Sequence, residues 1–448
     1  MCWCAPVAWC RYPRVLPTLR TRDAVDSNDD TSETEIDSEV EIDIEPRIPH
    51  ETREPVPELI TTETALIEYA EALARGSGPL ALDAERASGY TYSQRAYLIQ
   101  MRRAGSGTAL IDPIACPDLS PIATATVGVE WILHAATQDL ECLREVGLAP
   151  SSLFDTELAG RILGRERVGL GPLMESELGV YLEKGHGAAD WSLRPFSTAM
   201  LRYAALDVEL LVELRDSLAT SLDESGKREY AQQEFDALLT WRPREHKGEA
   251  WRRTSGVHSA KTPLARGIVR ELWLTRDDIA RRRDIAPGRI LPDRAILAAA
   301  LAKPADQLLK VQGFNGRGAG RYEKQWVAAV ERARSLPESE LPQPPPRSEG
   351  PPPPKAWADK NPGAHARLEF TRIELARISE DLNIPTENLM QPDLVRRACW
   401  AEPTEDAAWY WNLVREGGAR EWQCELVLPI LLLARAQQPN QMTIEDLL

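Results

Sequence analysis

The chain has 448 residues, of which 43% are hydrophobic, and a formal net charge of −16 at pH 7. This length predicts two to four domains, each able to form a hydrophobic core. No apolar run approaches the roughly 18 residues that a membrane-spanning helix needs, so we expect no association with a membrane. Seven widely scattered cysteines are unlike a disulfide framework and favour a reducing, cytoplasmic location.

Charge is distributed unevenly along the chain. Residues 56–240 contain 15 basic and 28 acidic residues, a net charge of −13, whereas residues 244–335 contain 20 basic and 10 acidic residues, a net charge of +10. The segments 1–55 and 336–448 each carry −7. The overall acidity argues against nucleic-acid binding, but the one basic segment reverses that conclusion for its own part of the chain.

Residues 1–55 are predicted to form a disordered acidic tail. Between Asp23 and Glu45 there are eleven acids and no basic residue, a composition that cannot bury enough apolar surface to fold. Three cysteines crowd the N-terminus without partnering histidines, so an incidental segment is favoured over a metal-binding knuckle: Cys2, Cys4 and Cys10. No basic segment precedes a continuous apolar core in residues 1–20, which argues against a signal peptide.

Residues 56–240 are predicted to form an α/β domain, a small mixed sheet surrounded by helices. Helical spacing of apolar residues over 58–75 is followed by the sequence GSGP at 76–79, which ends a helix. Strands are predicted at residues 80–84, 96–101, 108–112 and 130–134. The short gaps between the first three strands favour an antiparallel meander. A further helix is expected at 117–126, and the pattern is mainly helical over 137–241.

Two acids stand at the end of the first predicted strand. Side chains alternate between the faces of a strand, so Asp83 and Glu85 project from the same face. Carboxylates this close repel each other unless a positive charge lies between them. A divalent cation that prefers oxygen ligands is the obvious candidate. Taken alone the pair is a weak signal, because an ordinary strand end with solvated charges has the same pattern.

Two further acids occur in a related context. Asp139 follows a predicted strand in the first turn of a helix, where stabilisation of the helix dipole alone would also explain an acid. Tyr203 and Asp207 are four residues apart on a predicted helix and therefore share a face. The small apolar residues between them favour close packing, with both polar tips in a cleft. The alternative is a half-buried tyrosine over an exposed aspartate. His134 is expected to pack at its strand end rather than bind a metal.

In this order, the three motifs resemble those of the DEDDy group of 3′–5′ exonucleases. Residues 93–100 (SQRAYLIQ), 154–159 (FDTELA) and 189–195 (ADWSLRP) extend the similarity, and the whole of 56–240 resembles ribonuclease D. Each motif is weak alone, but their joint specificity is high. The resemblance implies a ribonuclease H-like fold for this domain.

The resemblance also implies a chemistry. Four carboxylates would hold two divalent metal ions, Mg²⁺ or Mn²⁺, directly or through water: Asp83, Glu85, Asp139 and Asp207. Tyr203 would position the attacking water. The implied function is a metal-dependent 3′–5′ exoribonuclease that trims structured RNA with single-stranded 3′ ends, such as tRNA precursors, as a monomer. A DNA-directed exonuclease and a non-catalytic nucleic-acid-binding scaffold are the alternatives, and the complete set of acids argues against the scaffold.

Residues 244–335 resemble the HRDC domain, a helical module of ribonuclease D proteins and RecQ-type helicases. The similarity rests on the segments 272–273 (LW), 280–283 (ARRR), 290–293 (ILPD) and 311–314 (VQGF). Helices are predicted at 264–283, 293–302, 304–310 and 320–334. Because the first domain is acidic, this basic segment is expected to grip RNA. The arginines proposed for that contact are Arg281, Arg282, Arg283, Arg317 and Arg321.

A glycine-rich turn lies within the basic segment. Its glycines are Gly313, Gly316, Gly318 and Gly320, and Arg321 follows them. No predicted strand precedes the turn, which excludes a P-loop or a dinucleotide-binding loop. Two interpretations stay equally open: backbone N–H groups offered to a phosphate, or a simple turn between helices without a ligand.

Residues 336–356 are predicted to be an extended, semi-rigid, proline-rich linker. It separates a last helical segment, 357–448, in which LNIP and LMQPD echo the IAP and ILPD of the basic segment. We therefore expect a diverged second HRDC-like domain. It is acidic and rich in tryptophan, so it is expected to pack against the other domains rather than bind RNA. The expected architecture is an α/β ribonuclease H-like exonuclease domain followed by all-α HRDC-type helical domains.

Overall fold

The computed structural model describes residues 50–183, 185–244, 248–302, 308, 310–344 and 350–437. The predicted acidic tail up to residue 49, with its three cysteines, lies outside these residues. Most of the helix predicted at 304–310 and the last part of the final predicted domain also lie outside them. In the described part of the chain, no helix is long and apolar enough to cross a membrane.

A six-stranded mixed sheet forms the first part of the structure, which we call the sheet region (residues 50–244). Its strands are β1 (Leu59–Ile60), β2 (Ser77–Arg86), β3 (Ala96–Ala104), β4 (Gly107–Ile111), β5 (Glu130–Leu133) and β6 (Ser152–Asp155). The strand order is β1-β4-β3-β2-β5-β6. Strands β2, β3 and β4 pair antiparallel, which confirms the predicted meander, whereas β5 runs parallel to both β2 and β6.

Two strands differ from the prediction. The helix predicted from residue 58 begins only at Glu63, because Thr62 caps it by accepting a hydrogen bond from the N–H of Ala65 at 3.3 Å. The preceding residues form β1 and pair with β4 instead. The second difference is β6, which lies in a stretch where the prediction gives only helix. Two residues, as in β1, are too few for a strand periodicity to be recognised.

Helices cover both faces of the sheet. Those of the sheet region are α1 (Glu63–Arg75), α2 (Ser120–Ala125), α3 (Leu140–Glu145), α4 (Thr156–Ile162), α5 (Leu170–Leu178), α6 (Thr198–Glu209), α7 (Leu211–Glu224) and α8 (Arg228–Leu239). Leu80 and Leu82 of β2 are buried with residues of α1, whereas Ala81 is buried on the opposite face with residues of α6 and α7. By alternation, Asp83 and Glu85 continue this second face and point toward α6.

Two helical modules follow the sheet region. The first helical module (residues 263–335) contains α9 (Pro263–Arg283), α10 (Pro287–Ile290), α11 (Asp293–Leu301), α12 (Arg317–Gly320) and α13 (Glu323–Ser335). The second helical module (residues 357–434) contains α14 (Trp357–Lys360), α15 (Pro362–Leu382), α16 (Thr386–Leu389), α17 (Pro392–Trp400), α18 (Ala407–Glu416) and α19 (Glu421–Ala434). Helix α9 packs against α11 and α13, and α15 packs against α17 and α19.

The two modules repeat a pattern of helix lengths. Helices α9 and α15 both have 21 residues, α10 and α16 both have 4, and α11 and α17 both have 9. Each long helix begins with proline after a capping side chain, Thr262 or Asn361. Each ends at a residue with left-handed backbone, Asp284 (φ 48°) or Asn383 (φ 47°), and Asp and Asn adopt that conformation more readily than most residues. This parallel supports the predicted repeat.

The first helical module docks on the loop between β2 and β3. The Asp284 carboxylate accepts hydrogen bonds from the N–H and the hydroxyl of Ser93, at 2.8 and 3.1 Å. The guanidinium of Arg289 lies over the ring of Tyr90, 3.9 Å from its centroid. The Tyr90 hydroxyl donates to the carbonyl of Ala188 at 3.3 Å. Polar contacts therefore tie the basic module to the β2–β3 loop, and Tyr90 ties that loop to the segment that contains Ala188.

The second helical module docks on a different part of the sheet region. Lys227 donates through Nζ to the carbonyl of Asn383 at 3.1 Å. Trp422 is fully buried and stacks on Tyr230 of α8, with ring centroids 4.7 Å apart. Its indole N–H donates to Glu234 at 3.2 Å. This tryptophan packs against another part of the molecule, as expected from the sequence.

The start of the proline-rich linker packs along the first helical module. Arg266 is buried in α9 and donates to the carbonyl of Pro342 at 2.7 Å. Gly267 permits this close approach, because a Cβ at that position would lie 2.8 Å from a methyl group of Leu341. The linker residues described before the gap at 345–349 are therefore held in place by α9.

Candidate active site

The end of β2 and the second half of α6 form the candidate site. Asp83 and Glu85 lie on β2, and Asp207 lies on α6, which packs against β2, β3 and β4. One carboxylate oxygen from each of these three residues lies within 4.8 Å of the other two. The structure thus brings three of the four predicted acids into a single group.

Helix α6 approaches the sheet closely because its inner face is small. Ser197 starts the helix by accepting a hydrogen bond from a backbone N–H of the first turn at 3.2 Å. Ala204 and Ala205 are buried against residues of β3 and β4, so no bulky side chain separates the helix from the sheet. Tyr203 and Asp207, four residues apart, share one face, and the charge of Asp207 acts on the Tyr203 hydroxyl.

The fourth predicted acid, Asp139, lies beside this group. It is buried and immediately precedes α3. Burial, and then the negative charge of Asp83, raise its pKa, and one of its oxygens lies 3.7 Å from a guanidinium nitrogen of Arg86. It does not belong to the three-carboxylate group itself. Asp83 therefore interacts electrostatically with Asp139 and also belongs to the group with Glu85 and Asp207.

The turn that carries Asp139 is held by a second buried carboxylate, Asp155. The N–H groups of Ala135 and Ala136 donate to it at 3.2 and 2.8 Å, and two N–H groups at the start of α4 donate at 2.9 and 3.1 Å. These bonds stabilise the left-handed backbone of Ala135, whose φ is 56°. Burial raises the pKa of Asp155 to about 6, against the effect of these backbone donors.

Burial raises the pKa of all four predicted acids, and repulsion between them adds to this for Glu85, Asp139 and Asp207. Loss of solvent is the main cause for Asp83, Asp139 and Asp207, and repulsion by Asp83 adds to it for the other two. The pKa of Glu85 rises to about 9, first through burial and then through repulsion by the three aspartates. The ionised group therefore carries more negative charge than its surroundings stabilise, and a positive charge is required to hold it ionised at neutral pH.

A glycine-containing loop covers Tyr203. A Cβ on Gly185 would lie 2.8 Å from the tyrosine ring, and a Cβ on Gly187 would lie 3.5 Å from its hydroxyl. The ring of Trp191 packs nearby, with centroids 6.5 Å apart. Burial, and then the charge of Asp207, raise the pKa of Tyr203 far above its ordinary value. Its hydroxyl therefore stays protonated at neutral pH and can donate a hydrogen bond.

Sequence reasoning missed two polar residues of the site. Gln100 is fully buried, lies opposite Asp83 in the pairing of β2 with β3, and donates to the Asp83 carboxylate at 2.7 Å. A polar residue inside the buried run 96–101 of β3 was a usable signal. Arg86 is the second residue, and its signal was a basic side chain directly after the acid pair on β2.

The predicted RNA-gripping arginines of α9 lie in its last turn. Arg281 and Arg282 are 63% and 76% exposed, and each lies near an aspartate one turn earlier, at 3.8 and 3.0 Å. Arg283 and Arg321 are also exposed, while the side chain of Arg317 lies outside the described part. Basic residues in a last turn also stabilise the helix dipole, so exposure alone does not establish contact with RNA.

His134 packs at the end of β5, as expected from the sequence. Its Nδ1 lies 2.9 Å from the hydroxyl oxygen of Thr156. Burial lowers the pKa of this histidine to about 4, so its ring is neutral at physiological pH. The hydrogen bond joins the end of β5 to the start of α4, next to the turn that carries Asp139.

Three family models match the chain. A 3′-5′ exonuclease domain matches residues 57–223, and an HRDC domain matches residues 265–330. A 3′ to 5′ exonuclease C-terminal domain matches residues 350–435. Residues 57–223 contain all the acids of the candidate site together with Tyr203. Residues 265–330 contain most of α9, including the arginines of its last turn.

Similar proteins point to the same family. Ribonuclease D of Granulibacter bethesdensis is 30% identical over 374 residues, which are 81% of this chain and 91% of the relative. Ribonuclease D of Escherichia coli is 32% identical over 295 residues, 64% of this chain and 77% of the relative. Both carry the name that the sequence motifs predict.

Solved structures agree. A protein from Bifidobacterium adolescentis has 36% identity and a TM-score of 0.80, covering 87% of this chain and 100% of that one. Escherichia coli RNase D, an exoribonuclease involved in structured RNA processing, has 27% identity and a TM-score of 0.61, covering 85% and 99%. The resemblance read from the motifs is confirmed: the chain belongs to the ribonuclease D family and is a 3′–5′ exoribonuclease.

Proposed function

We propose that this protein removes 3′-terminal nucleotides from structured RNA, tRNA precursors among them, with two divalent metal ions bound by its acids. The observation that carries the proposal is the convergence of Asp83, Glu85 and Asp207 within 4.8 Å, with Asp139 beside them. The substrate class follows from Escherichia coli RNase D, which acts in structured RNA processing.

The donor set fits a hard divalent cation. All four groups offer carboxylate oxygens, the ligands that Mg²⁺ and Mn²⁺ prefer, and their raised pKa values indicate a site without enough positive charge of its own. Asp83, Glu85 and Asp207 would hold one ion, and Asp83 with Asp139 a second. A bound pair of ions supplies an activated water and stabilises charge on the leaving oxygen of a phosphodiester.

The protein's own side chains would keep the reactants in place. Gln100 restrains one oxygen of Asp83 through its 2.7 Å hydrogen bond, which leaves the other oxygen to a ligand. Asp155 fixes the turn in which Asp139 lies. Tyr203 keeps its proton and would donate it in a hydrogen bond that orients the attacking water, because a phenol with so high a pKa is a poor base.

The RNA grip is assigned to the first helical module. The catalytic domain, proposed to span residues 56–240, carries −13, whereas residues 244–335 carry +10, and phosphate backbones favour the basic partner. We further propose that the linker at 336–356 separates a C-terminal domain at 357–448, that 1–55 is a tail, and that the protein acts as a monomer. DNA is the alternative substrate.

A gel assay with matched RNA and DNA oligonucleotides tests the function. With Mg²⁺ or Mn²⁺, RNA labelled at its 5′ end is expected to shorten stepwise, while RNA labelled at its 3′ end loses its label at once. EDTA is expected to stop both reactions. Faster shortening of DNA would assign the enzyme to DNA instead. Internal cuts, loss from the 5′ end, or cleavage that survives EDTA would contradict the proposal.

A further inference from the structure

An arginine lies inside the acidic site. Arg86 follows Asp83 and Glu85 on β2, and one of its guanidinium nitrogens lies 3.7 Å from Asp139. Its positive charge acts on Asp83, Glu85 and Asp139 alike. A basic residue at this place opposes the binding of a cation, so its presence requires a reason other than the metal ions.

The pairing of Arg86 is incomplete. A guanidinium pairs best with a carboxylate through two parallel hydrogen bonds of roughly 2.8 Å. Arg194 does this elsewhere in the sheet region, with bonds of 2.6 and 2.9 Å to Asp112. By contrast, the 3.7 Å contact between Arg86 and Asp139 is too long for a hydrogen bond.

The Nε–H of Arg86 is also buried and has no hydrogen-bond partner among the described residues. An unpaired buried donor is costly. The structure therefore contains an incompletely paired cation beside the acids, and its side chain is 26% exposed to an acceptor that enters from outside.

The position of Arg86 depends on an irregularity of the sheet. Pairing between β2 and β3 is regular from Leu80 to Glu85, opposite Leu98, but Arg86 lies opposite Ala96, so β3 has one extra residue there. Such a bulge redirects side chains and is frequent beside active sites. It explains how a residue next to Glu85 along the strand can approach the same acidic group.

We propose that Arg86 binds the phosphate of the terminal phosphodiester, as a fixed positive charge that the protein itself adds to the site. The proposal rests on the proposed function, because that function brings a phosphodiester to these acids. Phosphate oxygens match a guanidinium in charge and in geometry. In the free protein, Asp139 serves as a partial counter-charge for Arg86.

The proposal predicts opposite effects on two ligands when Arg86 is replaced. Loss of the guanidinium weakens binding of the phosphate, and it strengthens binding of a divalent cation because a neighbouring like charge is removed. A residue that only supports the fold would weaken both. The two measurements therefore separate phosphate recognition from a structural role.

The first measurement is equilibrium binding of a short RNA in EDTA, where cleavage is excluded. Two oligonucleotides are compared, one with an ordinary terminal phosphodiester and one with an uncharged methylphosphonate at that linkage. We expect the unsubstituted protein to prefer the charged linkage by about tenfold, Arg86→Met to bind both equally, and Arg86→Lys to keep part of the preference. Arg75→Met, which removes an arginine that is 72% exposed on α1, is the matched control and should behave like the unsubstituted protein.

The second measurement is Mn²⁺ binding without RNA, followed by electron paramagnetic resonance. Arg86→Met is expected to bind Mn²⁺ severalfold more tightly than the unsubstituted protein. An unchanged preference for the charged linkage in Arg86→Met, or weaker Mn²⁺ binding, overturns the proposal. If Arg86→Met does not fold, Arg86→Lys replaces it, and a full preference of that folded variant for the charged linkage supports recognition by charge alone. If the unsubstituted protein shows no preference for the charged linkage, the proposal is overturned. Neither assay requires cleavage, so a failure of the exonuclease function would appear separately.

Discussion

The two helical modules share their helix lengths and the place of their docking residue, but they contact the sheet region in different ways. In the first, the carboxylate of Asp284 accepts from Ser93 in the loop that follows β2. In the second, the carbonyl of Asn383 accepts from Lys227, and its side-chain amide donates to the carbonyl of Leu163 at 3.2 Å. Only the first contact lies on the loop that leads from Asp83 and Glu85.

The difference in charge follows the difference in contact. Residues 244–335 carry +10, whereas residues 336–448 carry −7. The first helical module has polar, partly buried contacts and exposed basic side chains, while the second contributes a fully buried tryptophan to the interface with α8. We propose that one helical scaffold serves two purposes: the basic copy for binding RNA, and the acidic copy for stabilising the sheet region.

The largest expected effect is on stability, in the second helical module. Trp422→Ala removes a fully buried ring that stacks on Tyr230 and bonds to Glu234, and it should lower the free energy of unfolding by about 3–5 kcal/mol. Trp409→Ala, at a tryptophan that is 37% exposed, should change it by less than about 1 kcal/mol. Chemical denaturation measures both. Weaker RNA binding by folded Trp422→Ala would contradict the claim that the first helical module binds RNA and the second only stabilises the fold.

The second largest expected effect is on the rate of cleavage, which depends on the sheet region and on neither helical module. Tyr203→Phe removes only the hydroxyl beside Asp207, and it should slow single-turnover cleavage by about 10²-fold because the water loses its orienting donor. Binding of RNA and of metal should be unchanged. Cleavage at the unsubstituted rate would show that Tyr203 is a packing residue.

The third prediction concerns the docking residue of the first helical module. Asp284→Ala removes the acceptor for Ser93 and a residue suited to left-handed backbone, at a cost of about 1–2 kcal/mol. Catalytic efficiency should fall about tenfold on a tRNA-sized RNA and stay unchanged on a dinucleotide. Asp284→Asn, which keeps an acceptor and the backbone preference, is the matched control. Equal losses on both substrates would mean that Asp284 supports the active-site loop itself.

The smallest expected effect concerns the exposed arginines of α9. Replacing Arg281, Arg282 and Arg283 by alanine should weaken binding of a tRNA-sized RNA and lower the salt slope by about 0.7 for each lost phosphate contact. Activity on a very short oligonucleotide should hardly change. Arg372→Ala/Arg377→Ala on α15, where both arginines are exposed and paired within the helix, is the control. An unchanged affinity and slope would mean that the three arginines only solvate the end of α9.

Local periodicity was enough to predict which neighbouring polar side chains share a face, whereas the meeting of the acids followed from the resemblance to ribonuclease D. Alternation along β2 places Asp83 and Glu85 on one face, and a spacing of four places Tyr203 and Asp207 on one face of α6, so each pair could be read without knowledge of the rest. The position of Arg86 could not be read in this way, because it depends on an extra residue in β3.

Local sequence patterns could not predict the role of Asp155 either. It lies on a four-residue strand and accepts from backbone groups 19 and 20 residues earlier. Likewise, the sequence shows that residues 244–335 are basic, but the loop on which Asp284 docks is defined only by long-range contacts. Periodicity therefore predicts elements and faces, while bulges and docking require the folded chain.

The central claim is that the acids at the end of β2 and on α6 hold the ions that cleave RNA, although their proximity destabilises the fold. The pKa of Glu85 is raised to about 9. Between its ordinary value of about 4.3 and this raised value, the folded protein binds more protons than the unfolded chain does. The stability of the metal-free protein should therefore fall as pH rises through this range.

Asp83→Asn tests the claim most directly, with cleavage and thermal unfolding measured on the same sample. We expect no Mg²⁺-dependent shortening of RNA, together with a higher melting temperature than that of the unsubstituted protein at pH 8 in EDTA, because one of the repelling buried charges is gone. Substantial Mg²⁺-dependent cleavage by a folded Asp83→Asn protein would contradict the account.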